Sequence, residues 1–290
     1  MIFPKNWLLF FIIFKVLLPS IATAEENTDS TDIIKEDQDV QLVKPDKIDS
    51  STIPDDIVPN LWAIKFALST GLIGGNTEQV DFTSKIETKR RTASSEWVIN
   101  YIGNFSKTNS VSGKFEETIN NHRLSTKLDI FVNEHFSYNP VFAEFFTDAF
   151  QNIKTRIALG AGLTYPVINT EKTEWGLSVG PAYVTTSYTS VLPGEKAEVD
   201  SASLAMGTKL ETKISTAYKF SYKYNLLFSK TEAGGYTHHM IAIIENKLIH
   251  SLNLELSLVW DRINSPTVDS DGNMPKPDDY RLMFGINYTY

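Results

Sequence analysis

From residue 61 onward, apolar and polar residues alternate along the chain in short runs separated by turn residues. The first run carries Trp62, Ile64, Phe66 and Leu68 on one side, with Ala63, Lys65, Ala67 and Ser69 between them. A period of two sends successive side chains to opposite faces of a strand. The run therefore predicts a two-faced β-strand, which reaches a turn at Gly74-Gly75-Asn76. A second strand sets Val80, Phe82 and Ile86 against Asp81, Lys85 and Glu87. The apolar rows of the next six are led by Trp97, Leu124, Val141, Ile157, Trp175 and Leu204. A ninth alternates Phe220, Tyr222, Tyr224, Leu226 and Phe228, and the tenth, around 238–247, has the weakest pattern. The eleventh places Leu252, Leu254, Leu256, Leu258 and Trp260 on one face, and the twelfth Leu282, Phe284, Ile286, Tyr288 and Tyr290.

The connections sort by length. If the first strand starts in the periplasm, those after even strands are 90–95, 137–140, 169–174, 215–216 and 250–251, all short. Those after odd strands include the longer 107–117, 190–200 and 264–279. Short turns on one side and long loops on the other, with an even strand count, describe an outer-membrane barrel. The predicted fold is all-β: an antiparallel up-and-down transmembrane β-barrel of about 12 strands, spanning 61–290. A soluble lipocalin-like barrel or a sandwich is the competing fold, with the two faces inverted. Trp62, Trp97, Trp175, Trp260, Tyr183 and Tyr290 near strand ends favour the membrane, where aromatics gather at the interfaces. The twelfth strand reads as the seam that closes on the first, with Phe284, Tyr288 and Tyr290 as its signal to the barrel-assembly machinery.

Composition fits this reading. Net charge is -8 and mean hydropathy is -0.18. A barrel has such values because half of each strand faces a polar interior. The acidic balance argues against nucleic acid as a partner; the expected partners are outer-membrane lipids and the assembly machinery. Residues 1–24 read as a signal peptide. Lys5 supplies the positive region, 7–18 the apolar region interrupted by Lys15, and Ala22-Thr23-Ala24 a cleavage site after Ala24. Export and residence in the outer membrane follow as expectations. Residues 25–60 are acidic, contain Pro45, Pro54 and Pro59 and lack aromatics, which predicts a disordered periplasmic linker. The chain has no Cys, which excludes disulfides and thiol chemistry.

The best-defined polar group is Glu144, Asp148, Lys154 and Arg156. In a hairpin turning near 150–152 these face inward, and Arg156 falls diagonally between the two carboxylates. The expectation is a lumen cluster in which Arg156 neutralises both acids, either as a structural ion pair or as a constriction. Gly160, Gly162, Gly176 and Gly180 fall on the inward faces of strands six and seven, for curvature or for pore space. His238 and His239 are adjacent and point to opposite faces, so they form no metal pair. His122 and Ser125, three apart in a strand, also face opposite sides and form no catalytic pair. Asp269-Ser270-Asp271-Gly272-Asn273 starts like a calcium loop but lacks the closing Glu. No cofactor, metal or catalytic residue is expected.

Glu144, Asp148 and Phe150, followed by Arg156, Gly160, Gly162 and Tyr165, resemble an E-x-x-x-D-x-F turn joined to an R-x-x-x-G-x-G-x-x-Y strand. Together with Trp62 and Gly75-Asn76-Thr77-Glu78 they resemble the family of salt-induced outer-membrane proteins, over residues 62–290. Pro166 departs from the pattern and is expected to shorten strand six. The acidic linker is not part of the family pattern. The resemblance implies outer-membrane residence and a link to osmotic or salt response, and no reaction. Two functions remain open: a narrow passive channel for small solutes or ions, and a non-conducting structural or interaction barrel acting through its outer loops and periplasmic tail.

Overall fold

The computed structural model describes residues 61–73, 79–109, 115–133, 136–249 and 251–290. The expected signal peptide (1–24), the linker (25–60), the turn Gly74-Gly75-Asn76 and the Asn76-Thr77-Glu78 match lie outside them. The strands are β1 (Leu61–Ile73), β2 (Gln79–Arg91), β3 (Ser95–Asn109), β4 (Phe115–Asn133), β5 (Phe136–Asp148) and β6 (Ile153–Asn169). They continue as β7 (Thr173–Tyr188), β8 (Glu198–Lys213), β9 (Tyr218–Phe228), β10 (Tyr236–Lys247), β11 (Leu252–Ile263) and β12 (Asp278–Thr289). Each pairs antiparallel with the next, and β12 pairs with β1, so the sheet closes as a 12-strand barrel. Closure matters in lipid, where an open sheet edge would leave backbone groups unpaired at several kcal/mol each.

The apolar rows point out. Phe66, Leu159 and Phe284 are 49%, 55% and 56% exposed, while Ser69, Thr83, Asn104, Glu255 and Asn287 are buried inside. A soluble barrel would bury the first set and expose the second; only hydrocarbon around the wall reverses the preference. Aromatics ring both ends of this surface. Trp62, Trp97, Tyr138, Tyr165, Trp175 and Tyr288 stand toward the short-turn end, and Tyr183, Tyr236, Trp260 and Tyr280 toward the long-loop end. Three indole N–H groups are satisfied across strands: Trp97 donates to Thr126 at 2.8 Å, Trp175 to Thr208 at 2.9 Å and Trp260 to Asp278 at 2.9 Å. An interfacial aromatic needs this polar handle on an otherwise apolar body.

At the seam, β1 and β12 pair from Lys65↔Thr289 to Thr70↔Phe284. Ile64 and Tyr290 exchange backbone hydrogen bonds of 3.1 and 2.9 Å, so Tyr290 continues the ladder past β12. Gly285 is the close-approach point: a Cβ there would sit 2.8 Å from the Ser69 Cα.

Several expected boundaries move. Residues 137–140, read as a turn, lie within β5, and a register shift between Asn139 and Phe142 absorbs Pro140. Pro166 does not shorten β6, which runs on to Asn169. Pro166 stands opposite Gly176 and a second shift follows it, so the missing N–H falls at an irregular point of the ladder. The 107–117 connection is shorter than expected, because β3 extends to Asn109 and β4 starts at Phe115.

Candidate functional site

The candidate site is the lumen. A cavity of about 730 Å³ occupies its short-turn half, lined by residues such as Glu87, Glu96, Lys209, Glu211 and Lys219. A smaller one of about 190 Å³ lies toward the loop end, beside Phe142, Asp148, Gln151 and Ile263. Between them a belt of charges crosses the interior. Arg123 of β4 donates to Glu144 of β5 at 2.7 Å and to Asp261 of β11 at 3.1 Å. Asp261 also accepts from Arg281 at 2.6 Å and contacts His239 at 2.7 Å. Arg281 reaches Asp279 as well, at 3.0 Å. The Arg123–Asp261 contact ties strands far apart in the barrel order, which a linear reading cannot anticipate.

The seam wall is filled by similar reach. Lys65 pairs with Glu245 and Lys85 with Glu255, and Asn287 donates to both carboxylates at 3.2 Å. Thr83, Asn104, Asn121 and Asp148 continue as a chain of buried hydrogen bonds from β2 to β5. Opposite, β6 to β8 present Ala158, Gly176, Ser178, Gly180 and Ala205. Gly162 serves curvature, since a Cβ would lie 2.7 Å from the Val179 carbonyl oxygen of β7. Gly176 is different: its nearest neighbour to a Cβ is 3.7 Å away, so it leaves space.

The expected cluster is taken apart. Glu144 does face Ala158 as the hairpin predicts, and Arg156 stands opposite Phe146, between the acids in register. Its side chain nevertheless turns away, donating to Thr186 at 3.2 Å and to the Ala233 carbonyl at 3.3 Å. Glu144 takes Arg123 instead, and Arg123 stacks on the Phe146 ring at 4.3 Å, so Phe146 stands between the two arginines. Asp148 caps the 3₁₀ turn Ala149–Gln151, accepting from the Phe150 and Gln151 amides at 3.1 Å. Lys154 is exposed rather than inward, because a register shift between Ile153 and Thr155 inserts one residue and flips the alternation.

These residues instead close the loop end. Asn152, at φ 58°, donates to the carbonyls of Ser190 (2.8 Å) and Thr267 (3.3 Å) and accepts from the Ser190 amide. Gln151 donates to the Lys276 carbonyl, and Tyr188 to that of Glu232 at 2.6 Å. The turn 149–152 and the loops 189–197, 229–235 and 264–277 are thereby joined over the mouth. Beneath them Phe146, Ile153, Tyr188 and Ile263 form a buried apolar cluster with Val191 and Val199.

His239 faces the lumen, whereas His238 faces out between Tyr224 and Trp260, on opposite sides as expected. His122 contacts Tyr101 at 2.9 Å on the outer face, with Ser125 lining the lumen. In the 264–277 loop, Asp269 accepts from the amides of Asp271 (2.9 Å) and Asn273 (2.8 Å), so its own turn engages the carboxylate. The Asn273 amide holds the Asp269 carboxyl below its ordinary range. Sequence reasoning did not single out Arg123, Asp261 or Arg281. Their inward parity was readable; their meeting across the lumen was not.

The barrel is similar to several solved structures. It has a TM-score of 0.47 to the NanC porin, at 11% identity over 79% of this chain and 99% of that one. For an outer membrane channel from Pseudomonas putida F1 the score is 0.41, at 11% identity over 85% and 100%. For a FadL homologue of Pseudomonas aeruginosa it is 0.39, at 9% identity over 78% and 77%. No curated protein sequence matches the chain. A family model described as "Protein of unknown function, DUF481" matches residues 67–290, and the chain belongs to that family.

Proposed function

We propose that this member of the DUF481 family is a narrow passive channel of the outer membrane for small polar solutes or ions. The observation that carries the reading is that both lumen cavities share wall residues, among them Asn100, Ser125, Ser178, Lys223 and Asn225. The two cavities therefore adjoin beside the charged belt, on the side where Ser178, Gly180 and Ala205 present small side chains, which favours a path past the belt. The long loops face the exterior and the wider cavity opens to the periplasm, as the topology of such barrels requires. Export through the signal peptide of residues 1–24 belongs to the same reading. So does delivery by the barrel-assembly machinery, which would read Phe284, Tyr288 and Tyr290. No reaction is part of it. The link to salt or osmotic response rests on the sequence resemblance, and a rise in expression with external salt would test it.

Refolded protein in planar bilayers is expected to give small, discrete conductance steps. A barrel that is folded by its heat-dependent gel shift yet silent would overturn the channel. The joined loops at the mouth support the second reading, a closed barrel that acts through its outer surface. Under that reading, cutting the ties of Asn152 and Arg156 leaves the bilayer silent; under the first, it raises conductance.

A further inference from the structure

The ion pairs of the lumen leave a remainder. Lys65, Lys85, Lys127, Lys209 and Lys219 all line the wider cavity and all have carboxylate partners. Lys223 lines both cavities and, among the described residues, makes no hydrogen bond or ion pair. Its placement is unfavourable on its own terms. It stands directly opposite Lys209 in the β8–β9 ladder, and like charges so placed repel. Ile241 is its neighbour on the other side and offers no acceptor. No carboxylate among the described residues makes an ion pair with Lys223: Glu211 is shared by Lys209 and Lys219 at 2.8 and 2.6 Å, and Glu144, whose field reaches Lys223, pairs with Arg123 at 2.7 Å.

The acidic remainder lies on another wall. Glu96, Asp129, Glu144, Glu211 and Glu255 are paired. Glu174 sits exposed at the rim. Glu87, on β2, lines the wider cavity with no ion pair or hydrogen bond among the described residues. Four strands separate β2 from β9 one way round the barrel and six the other, so the two free charges occupy facing arcs. The field of Glu87 reaches both Lys209 and Lys223. Asn100, in register with Glu87, and Asn225, two residues beyond Lys223, add neutral amides to the same space.

We infer that the lumen holds a binding site for a small zwitterion, its carboxylate at Lys223 and its ammonium at Glu87, in the manner of a free α-amino acid. A solute with both charges matches each unpaired group without stripping a partner from any existing ion pair. A simple anion or cation would match one and leave the other. The inference rests on the channel reading only for its purpose, and its test requires no ion flow.

Ligand-observed saturation-transfer NMR on refolded protein in detergent micelles would compare glycine, acetate and methylammonium at equal concentration. Glycine is expected to give the strongest transfer, falling at least tenfold in both Lys223→Gln and Glu87→Gln and persisting in Lys223→Arg. Heat-dependent gel mobility confirms that each variant is folded, and the arginine variant keeps the test open if the glutamine one is not. Equal signals for the three solutes, or glycine transfer unchanged in both glutamine variants, would overturn the site. Acetate binding lost only in Lys223→Gln would replace it with a plain anion site. A barrel that binds glycine but stays silent in bilayers breaks the channel and not the site; a conducting barrel indifferent to glycine breaks the site and not the channel.

Discussion

The two ends of the lumen are built differently. The loop end is closed by side-chain to backbone ties, from Asn152, Arg156, Tyr188 and Gln151, over the apolar cluster of Phe146, Ile153, Tyr188 and Ile263. The short-turn end encloses a cavity of about 730 Å³ whose wall carries ion pairs. A dry cluster resists water and moves as a unit. A charged wall tolerates water and lets small solutes move past fixed groups. Under the proposed channel function, passage is limited at the loop end and at the charged belt beneath it, and solute choice is made at the short-turn end.

The largest effect is expected where a charge enters the dry cluster. Ile153 is 1% exposed, and Ile153→Asp should destabilise the barrel by about 3–5 kcal/mol. Denaturant unfolding in micelles would show it; an unchanged midpoint would mean that the loop end is wet. Next comes the belt. Arg123→Ala strands Glu144 and removes one of the contacts to Asp261, at about 3 kcal/mol. Single-channel current should rise as the lumen widens, and a fall in current would place the narrowest point elsewhere. Asn152→Gly keeps the left-handed backbone but removes the ties to Ser190 and Thr267, at about 1–2 kcal/mol. Hydrogen exchange should quicken at the Thr189 and Ser190 amides and leave the short-turn end untouched.

The smallest effect is a pH response confined to the loops. The folded pKa of Asp269 is depressed by its turn hydrogen bonds, so its contribution is present above the ordinary carboxylate pKa and is lost as pH falls through the lower folded value. Amide protection of Asp271 and Asn273 should weaken in that acid window while the strands keep theirs. Equal loss across the barrel would point to a carboxylate in the wall instead.

Much of this was legible from alternation. The outward rows led by Phe66 and Phe284, the pairing of the twelfth strand with the first, and the sorting of loops by length follow from a period of two and turn chemistry. The failures cluster at register shifts. Lys154 faces out because one residue is inserted between Ile153 and Thr155, and Pro166 is absorbed by a shift rather than ending β6. A shift depends on how two strands meet, so neither strand shows it alone. Arg156 failed for another reason: its diagonal position was right, but Arg123, on the adjoining strand β4, took Glu144 and left Arg156 for Thr186 and the Ala233 carbonyl.

The sequence by itself determined which face of each strand meets lipid, because that is a local property of alternating residues and the solvent each prefers. Only the tertiary structure decided which inward charges meet. The partners of Asp261 come from β4, β10 and β12, and among the described residues Lys223 and Glu87 are left with neither ion pair nor hydrogen bond only once the other lumen charges have found theirs. Pairing across a closed barrel depends on curvature and register accumulated over all of its strands, and no segment of the chain carries that information alone.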